Sequence, residues 1–179
     1  MGQVPDGAIT LVETIDDAET VSPPEGALAY ATQTTLSVSD TADIIIALKK
    51  RFPSIAEPHK EDICYATTNR QQAVQALASE TDCVLIIGAS NSSNSQRLVE
   101  VARQSGCPHS MLIGSADDID WAQMAEADHI GLTAGASAPE EITREVIDAF
   151  AARFAISVRE MAGDDENVSF KLPRQLRRA

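Results

Sequence analysis

Cys83-Val84-Leu85-Ile86-Ile87-Gly88-Ala89-Ser90-Asn91-Ser92-Ser93-Asn94-Ser95 joins an almost unbroken apolar run to a stretch of hydroxyl and amide side chains. An apolar run without polar alternation suits a strand covered on both faces. Just beyond it, Leu98, Val101 and Ala102 recur at helical spacing, and Gly106-Cys107-Pro108 ends that pattern. A strand, a polar turn and a helix in this order form the repeating unit of a parallel α/β sheet.

The same rhythm extends in both directions. Downstream, Ser110-Met111-Leu112-Ile113 reads as a short strand, 117–124 as a helix holding the lone Trp121, and 129–133 as another strand. Ala134 to Glu141 then has the grammar of a helix start, with Ser137 near the cap, Pro139 in the first turn and carboxylates behind it. Ile142, Val146, Ile147 and Phe150 give that helix its buried stripe. Upstream, Ile63-Cys64 closes a short apolar run, a hydroxyl-rich turn reaches Asn69, and a helix with Val74 and Leu77 on one face continues to about Ser79. Before it, 27–31 reads as a buried strand entering Thr32-Gln33-Thr34-Thr35, and Ser39-Asp40 as the cap of a helix carrying Ile44, Ile45, Leu48 and Phe52. The segment 8–12 is apolar after a turn-rich lead, 13–19 resembles a helix start and 21–26 is a breaker. At the other end, 158–166 reads as a charged loop and 167–172 alternates like an edge strand.

Composition narrows the function. A net charge of −13 over 179 residues leaves no broad surface for nucleic acid or anionic membrane, and no apolar run is long enough to span a bilayer. Three cysteines, Cys64, Cys83 and Cys107, make no disulfide framework and match no compact metal spacing, which fits a reducing cytoplasm. His59, His109 and His129 form no ligand pair. There is neither a Gly-x-Gly-x-x-Gly fingerprint nor a Walker lysine, so a nucleotide is not indicated.

What remains is positional. Four segments that follow apolar runs, 32–35, 64–69, 90–95 and 133–137, carry hydroxyls and amides but few charges. Parallel strands gather such segments at their carboxyl ends, where helix amides and hydroxyls converge on an anion. Ser92, Ser93 and Asn94, with Ser137 from a second helix start, could hold a phosphate; the competing reading is ordinary capping. Cys64 lies on the same rim, although a free cysteine is more often a buried apolar residue.

Taken in order, Thr32-Gln33-Thr34-Thr35-Leu36-Ser37-Val38, Asp62-Ile63-Cys64-Tyr65-Ala66-Thr67-Thr68-Asn69-Arg70-Gln71, Asn91-Ser92-Ser93-Asn94-Ser95 and Thr133-Ala134-Gly135-Ala136-Ser137-Ala138-Pro139 resemble the 4-hydroxy-3-methylbut-2-enyl diphosphate reductase family over nearly the whole chain. The resemblance implies three similar α/β domains around a cavity, each giving one cysteine to a [4Fe–4S] cluster. It implies reductive removal of the substrate's allylic hydroxyl to isopentenyl and dimethylallyl diphosphates, the last step of the non-mevalonate route. By resemblance Cys64 is a cluster ligand, Ser92, Ser93, Asn94 and Ser137 hold the diphosphate, and Thr34 meets the substrate hydroxyl as a catalytic residue. Cys83 and Cys107 match no cluster cysteine. The family's first domain, half of its second, two cluster cysteines and its proton-donating Glu have no counterpart here. The expected layout is therefore 1–60 as the remainder of a truncated α/β domain, 61–150 as a complete one and 151–179 as a tail with an edge strand. The isolated chain is expected to be inactive. Its expected partners are the isoprenoid diphosphate, a small ferredoxin- or flavodoxin-type electron donor and a separate N-terminal half. Nucleic acid and membrane are not expected. The alternatives are a non-catalytic diphosphate-binding fragment and one half of a split enzyme.

Overall fold

The computed structural model describes residues 4–58, 63 and 65–161. The expected cluster ligand Cys64 and the expected edge strand at 167–172 lie outside the described residues.

The apolar run 83–87 is a strand, β1 (Cys83–Ile87), with every residue buried. It is the middle of a parallel sheet ordered β2-β1-β3, flanked by β2 (Met111–Ile113) and β3 (Ile130–Ala134). Leu85 stands beside Met111 on one side and Leu132 on the other; Ile87 stands beside Ile113 and Ala134. Side chains alternate across a strand, and each face of β1 meets its own core. Val84 and Ile86 pack with Val74, Ala78, Leu98, Val101 and Ala102, from helices α3 (Tyr65–Glu80) and α4 (Ser93–Gln104). Cys83, Leu85 and Ile87 pack with Ile113, Met124, Val146 and Phe150, the last two from α6 (Glu140–Ala151). Each fully buried Leu or Ile contributes about 1.5–3 kcal/mol relative to exposure, so β1 is the strand from which the sheet draws most stability.

The connections explain where a ligand could sit. After β1 the chain crosses through α4, on one face, to β2. It then returns past β1 to β3, which leads into α6 on the opposite face. The neighbours β1 and β3 thus send their helices to opposite sides, the arrangement in which parallel sheets place ligands beyond their strands' carboxyl ends.

The N-terminal part holds two helices joined by turns and irregular chain. Helix α1 (Ile15–Thr20) starts with a capping box, in which Thr14 Oγ1 accepts from the Asp17 amide and the Asp17 carboxylate accepts from the Thr14 amide, both at 3.0 Å. Helix α2 (Val38–Arg51) follows, and Arg51 Nη1 donates to the Ala18 carbonyl at 3.1 Å. One expected strand is absent here. The segment 27–31 contributes a single parallel bridge, Ala29 to Ala56, because among the described residues no long partner runs beside it.

Four other boundaries move. Ser37, not Ser39-Asp40, caps α2, its hydroxyl accepting from the Asp40 amide at 3.2 Å. The segment expected as a turn through Asn69 is helical from Tyr65, because Thr67 and Gln71 extend the buried stripe of Val74 and Ala78. The expected helix 117–124 is split into a 3-10 turn (Ala116–Asp118) and α5 (Trp121–Met124), each with its own cap, Ser115 and Asp120. Pro139 rather than Ser137 stands at the start of α6, with no side-chain cap.

Candidate functional site

Two loops leave the carboxyl ends of adjacent strands. The first, from Gly88 to Ser92, continues the sheet for one step, Gly88 N–H donating to the Ile113 carbonyl at 2.9 Å, and turns by a Ser92 N–H to Ala89 C=O bond of 2.9 Å. Ser92 then caps α4: its hydroxyl accepts from the Ser95 amide at 3.3 Å. A helix has no earlier carbonyls for its first amides, so those of Ser93 and Asn94 lie at the start of α4 with the positive end of the helix dipole. The second loop begins at Gly135, whose amide donates to the Ile87 carbonyl at 2.7 Å, and closes with Ala138 N–H on Gly135 C=O at 3.0 Å. Ala136 and Ser137 at its tip are exposed.

Glycine lets the two loops meet. A Cβ on Gly88 would lie 2.2 Å from Ser95 Oγ, and one on Gly135 would lie 2.3 Å from the same atom. Neither glycine has a left-handed φ. Both are needed for close approach, since the Ser95 side chain is wedged between them, 1% exposed. Ser95 also donates through Oγ to Ser92 Oγ at 3.0 Å.

The expected residues are placed as follows. Ser92 and Asn94 are half-buried and Ser93 is exposed, all at the start of α4. Asn94 Nδ2 is buried with no hydrogen-bond partner among the described residues. A buried amide N–H₂ left unpaired costs about 1–3 kcal/mol, which a ligand oxygen would recover. Thr34 is exposed on a turn whose neighbours Gln33 and Thr35 line a shallow groove of about 220 Å³, with Ser93, Gln96, Arg97 and Glu100 of α4 across it. Thr34 itself is not in the groove wall. Arg97 of the groove's lining pairs with Asp40 at 3.5 Å and with Glu100 at 2.5 Å.

The described thiols do not fit a metal centre at this rim. Cys83 opens β1 at the sheet's opposite end, roughly 13 Å of strand away from Ile87. Its thiol donates to the His109 carbonyl at 3.0 Å, and burial, with lesser contributions from Cys107 and Asp82, pushes it up to about 11. Cys107 is buried beside the Thr81 carbonyl, 3.6 Å away. Among the described residues no group of three or more His, Cys, Asp or Glu could hold an ion.

The family model described as LytB protein matches residues 1–151. The chain belongs to the LytB family. It is 54% identical over 178 residues to 4-hydroxy-3-methylbut-2-enyl diphosphate reductase 1 of Bradyrhizobium diazoefficiens, covering 99% of this chain and 55% of that protein. With the like-named reductase of Hyphomonas neptunium it shares 56% over 177 residues, 98% of this chain and 56% of the other. This LytB chain spans about half the length of the curated relatives it matches. Its fold is similar to the solved E-1-hydroxy-2-methyl-but-2-enyl-4-diphosphate reductase of Plasmodium falciparum, with a TM-score of 0.84 and 35% identity over 92% of this chain and 52% of that one.

Reading the LytB sequence alone does not single out Ser95, Gly88, Gly135 or Arg97. A signal for the glycines is present: each stands directly after a strand, Gly88 before a hydroxyl-rich loop and Gly135 before the Ala136-Ser137 turn. Ser95 looks like one more serine in a polar run, and only its packing between two chain-distant glycines distinguishes it.

Proposed function

We propose that this chain forms the diphosphate-holding part of a 4-hydroxy-3-methylbut-2-enyl diphosphate reductase, an iron–sulfur oxidoreductase that removes the substrate's allylic hydroxyl. The observation that carries the reading is the rim between β1 and β3. There the first-turn amides of α4, the Ser92 and Ser93 hydroxyls and the Asn94 amide nitrogen, unpartnered among the described residues, share one edge with the Gly135 loop that carries Ser137. Every one of these groups can donate a hydrogen bond, and none brings a negative charge, which suits a polyanion. The relatives, themselves named 4-hydroxy-3-methylbut-2-enyl diphosphate reductases, add the substrate class.

Within this proposal Ser92, Ser93, Asn94 and Ser137 hold the diphosphate, and that hold orients the allylic end toward the site of reduction. Thr34 is assigned to the substrate hydroxyl and Cys64 to a [4Fe–4S] cluster. When bound, the cluster supplies the electrons and a Lewis-acidic iron. Its other thiolates must come from residues beyond Cys83 and Cys107, which are buried at the far end of the sheet. A ferredoxin- or flavodoxin-type protein is the proposed electron donor. The expected division into 1–60, 61–150 and 151–179 stands as part of the same proposal.

Titration of the full chain with inorganic diphosphate, followed by amide shifts in the first turn of α4, tests the hold. Ser92→Ala should raise the dissociation constant about tenfold or more, the usual worth of a hydrogen bond to a charged group. Unchanged affinity would remove Ser92 from the site. The reductase assignment is tested separately, by anaerobic co-expression with the part of the Bradyrhizobium relative that this chain does not span. Bound iron and consumption of the hydroxylated substrate are expected; Cys64→Ala should abolish both while leaving diphosphate binding intact.

A further inference from the structure

We infer that Ser95 is a positioning residue that turns Ser92 into an obligate hydrogen-bond donor for the bound diphosphate; this rests on the diphosphate reading given above. A serine hydroxyl has one hydrogen to donate and two lone pairs to accept with. At Ser92 the two lone pairs are taken, one by the Ser95 amide at 3.3 Å and one by the Ser95 hydroxyl at 3.0 Å. The only hydrogen bond left to Ser92 is the one its own O–H donates. Donation into an oxygen already receiving two hydrogen bonds also polarises that O–H and strengthens it toward an anion.

Ser95 is held to this task by packing. Its side chain, 1% exposed, fills the gap between Gly88 and Gly135, so Oγ has no room to swing away from Ser92. An ordinary helix cap needs only the amide contact. The second contact, from a buried hydroxyl clamped by two strands' exit loops, is what capping does not explain. It also couples the loops: displacement of the Gly135 loop that carries Ser137 frees Ser95, and with it the orientation of Ser92.

The geometry permits a test that separates packing from hydrogen bonding. A Cβ on Gly135 would meet Ser95 Oγ at 2.3 Å, but its next contacts are the Ile87 carbonyl at 3.5 Å and Ser95 Cβ at 3.6 Å, both ordinary. Ser95→Ala removes the clashing oxygen, so Gly135→Ala fills the space in that background. The doubly substituted chain regains the packing but not the hydrogen bond to Ser92. Inorganic diphosphate is titrated into the full chain, wild type and variants, with thermal unfolding measured alongside.

Ser95→Ala should weaken diphosphate binding roughly three- to tenfold. Ser95→Ala/Gly135→Ala should recover thermal stability while binding stays weak. Ser95→Ala added to Ser92→Ala should weaken binding no further than Ser92→Ala does alone. Wild-type affinity in the filled double variant would overturn the inference, because Ser95 would then be a packing residue. So would unchanged affinity in Ser95→Ala when Ser92→Ala has lost it. If Ser92→Ala binds as wild type does, the diphosphate reading falls first and the inference falls with it. Should Ser95→Ala alone fail to fold, the filled variant carries the comparison.

Discussion

The Cys83 thiol donates to the His109 carbonyl at 3.0 Å from inside the sheet, and 1% of the residue meets solvent. Its apolar setting disfavours the thiolate, so the group ionises near 11 when folded against an ordinary 9.0. Below pH 9 both folded and unfolded chains keep the proton, and Cys83 contributes no pH dependence. Between pH 9 and 11 the unfolded chain loses its proton while the folded one retains it, so stability falls as pH rises, by on the order of 2–3 kcal/mol in all. Urea unfolding of wild type and Cys83→Ala across this range checks the sign. The variant should start less stable at pH 8 and lack this part of the decline, and parallel curves would count against a buried thiol. Packing is legible for Cys83 in the sequence, because it opens an apolar run. Its partner is not, since His109 is remote in the chain and meets Cys83 only once β1 and β2 are aligned.

Helix α4 can approach the sheet because Gly88 presents no side chain. A methyl there would lie 2.6 Å from Ser95 Cβ as well as 2.2 Å from Oγ, and a Cβ cannot rotate away. Gly88→Ala therefore has to lift the first turn of α4 from β1. The expected cost is about 1–3 kcal/mol, read as a fall of roughly 3–10 °C in Tm with the far-UV spectrum retained. Unchanged Tm would mean that the turn yields freely. Elements of this kind divide sharply in how readable they are. The unbroken apolar run of β1 and the stripes of α4 and α6 declare themselves, because burial on both faces or on one face imposes a pattern. The start of α3 hides, because its buried stripe begins with two polar residues, Thr67 and Gln71, and Gln71 bonds to the N-terminal segment instead of the sheet. The segment 27–31 misleads in the opposite direction: it is apolar enough for a strand, but a strand is made by a partner, and among the described residues it finds one Ala29–Ala56 bridge.

At the scale of the molecule, the rim is a meeting of parts far apart in sequence. The hydroxyl-rich segments announce a candidate anion site, but not which of them touch; that depends on strand order and on glycines that carry no chemistry. The turn bearing Thr34 is joined to the rest through Gln71, which is 3% exposed. Its Nε2 donates to the Leu36 carbonyl at 2.8 Å and its Oε1 accepts from the Val38 amide at 3.0 Å, so one amide group satisfies both sides of the turn that enters α2. The Arg97–Asp40 pair adds a second tie, but at 3.5 Å and partly exposed it is worth at most ~1 kcal/mol. Gln71→Ala leaves the partners of two part-buried hydrogen bonds to find water, a loss of about 1–2 kcal/mol that falls on the N-terminal segment alone. Hydrogen exchange should then quicken about tenfold or more through 36–41, while the β1 amides, held by two neighbouring strands, keep their protection. Diphosphate binding at α4 should be little changed, because Ser92 and Ser95 do not touch this clamp. Equal loss of protection in β1 would instead mean that α2 and the sheet unfold as one unit, and that the placement of Thr34 depends on the whole core and not on Gln71.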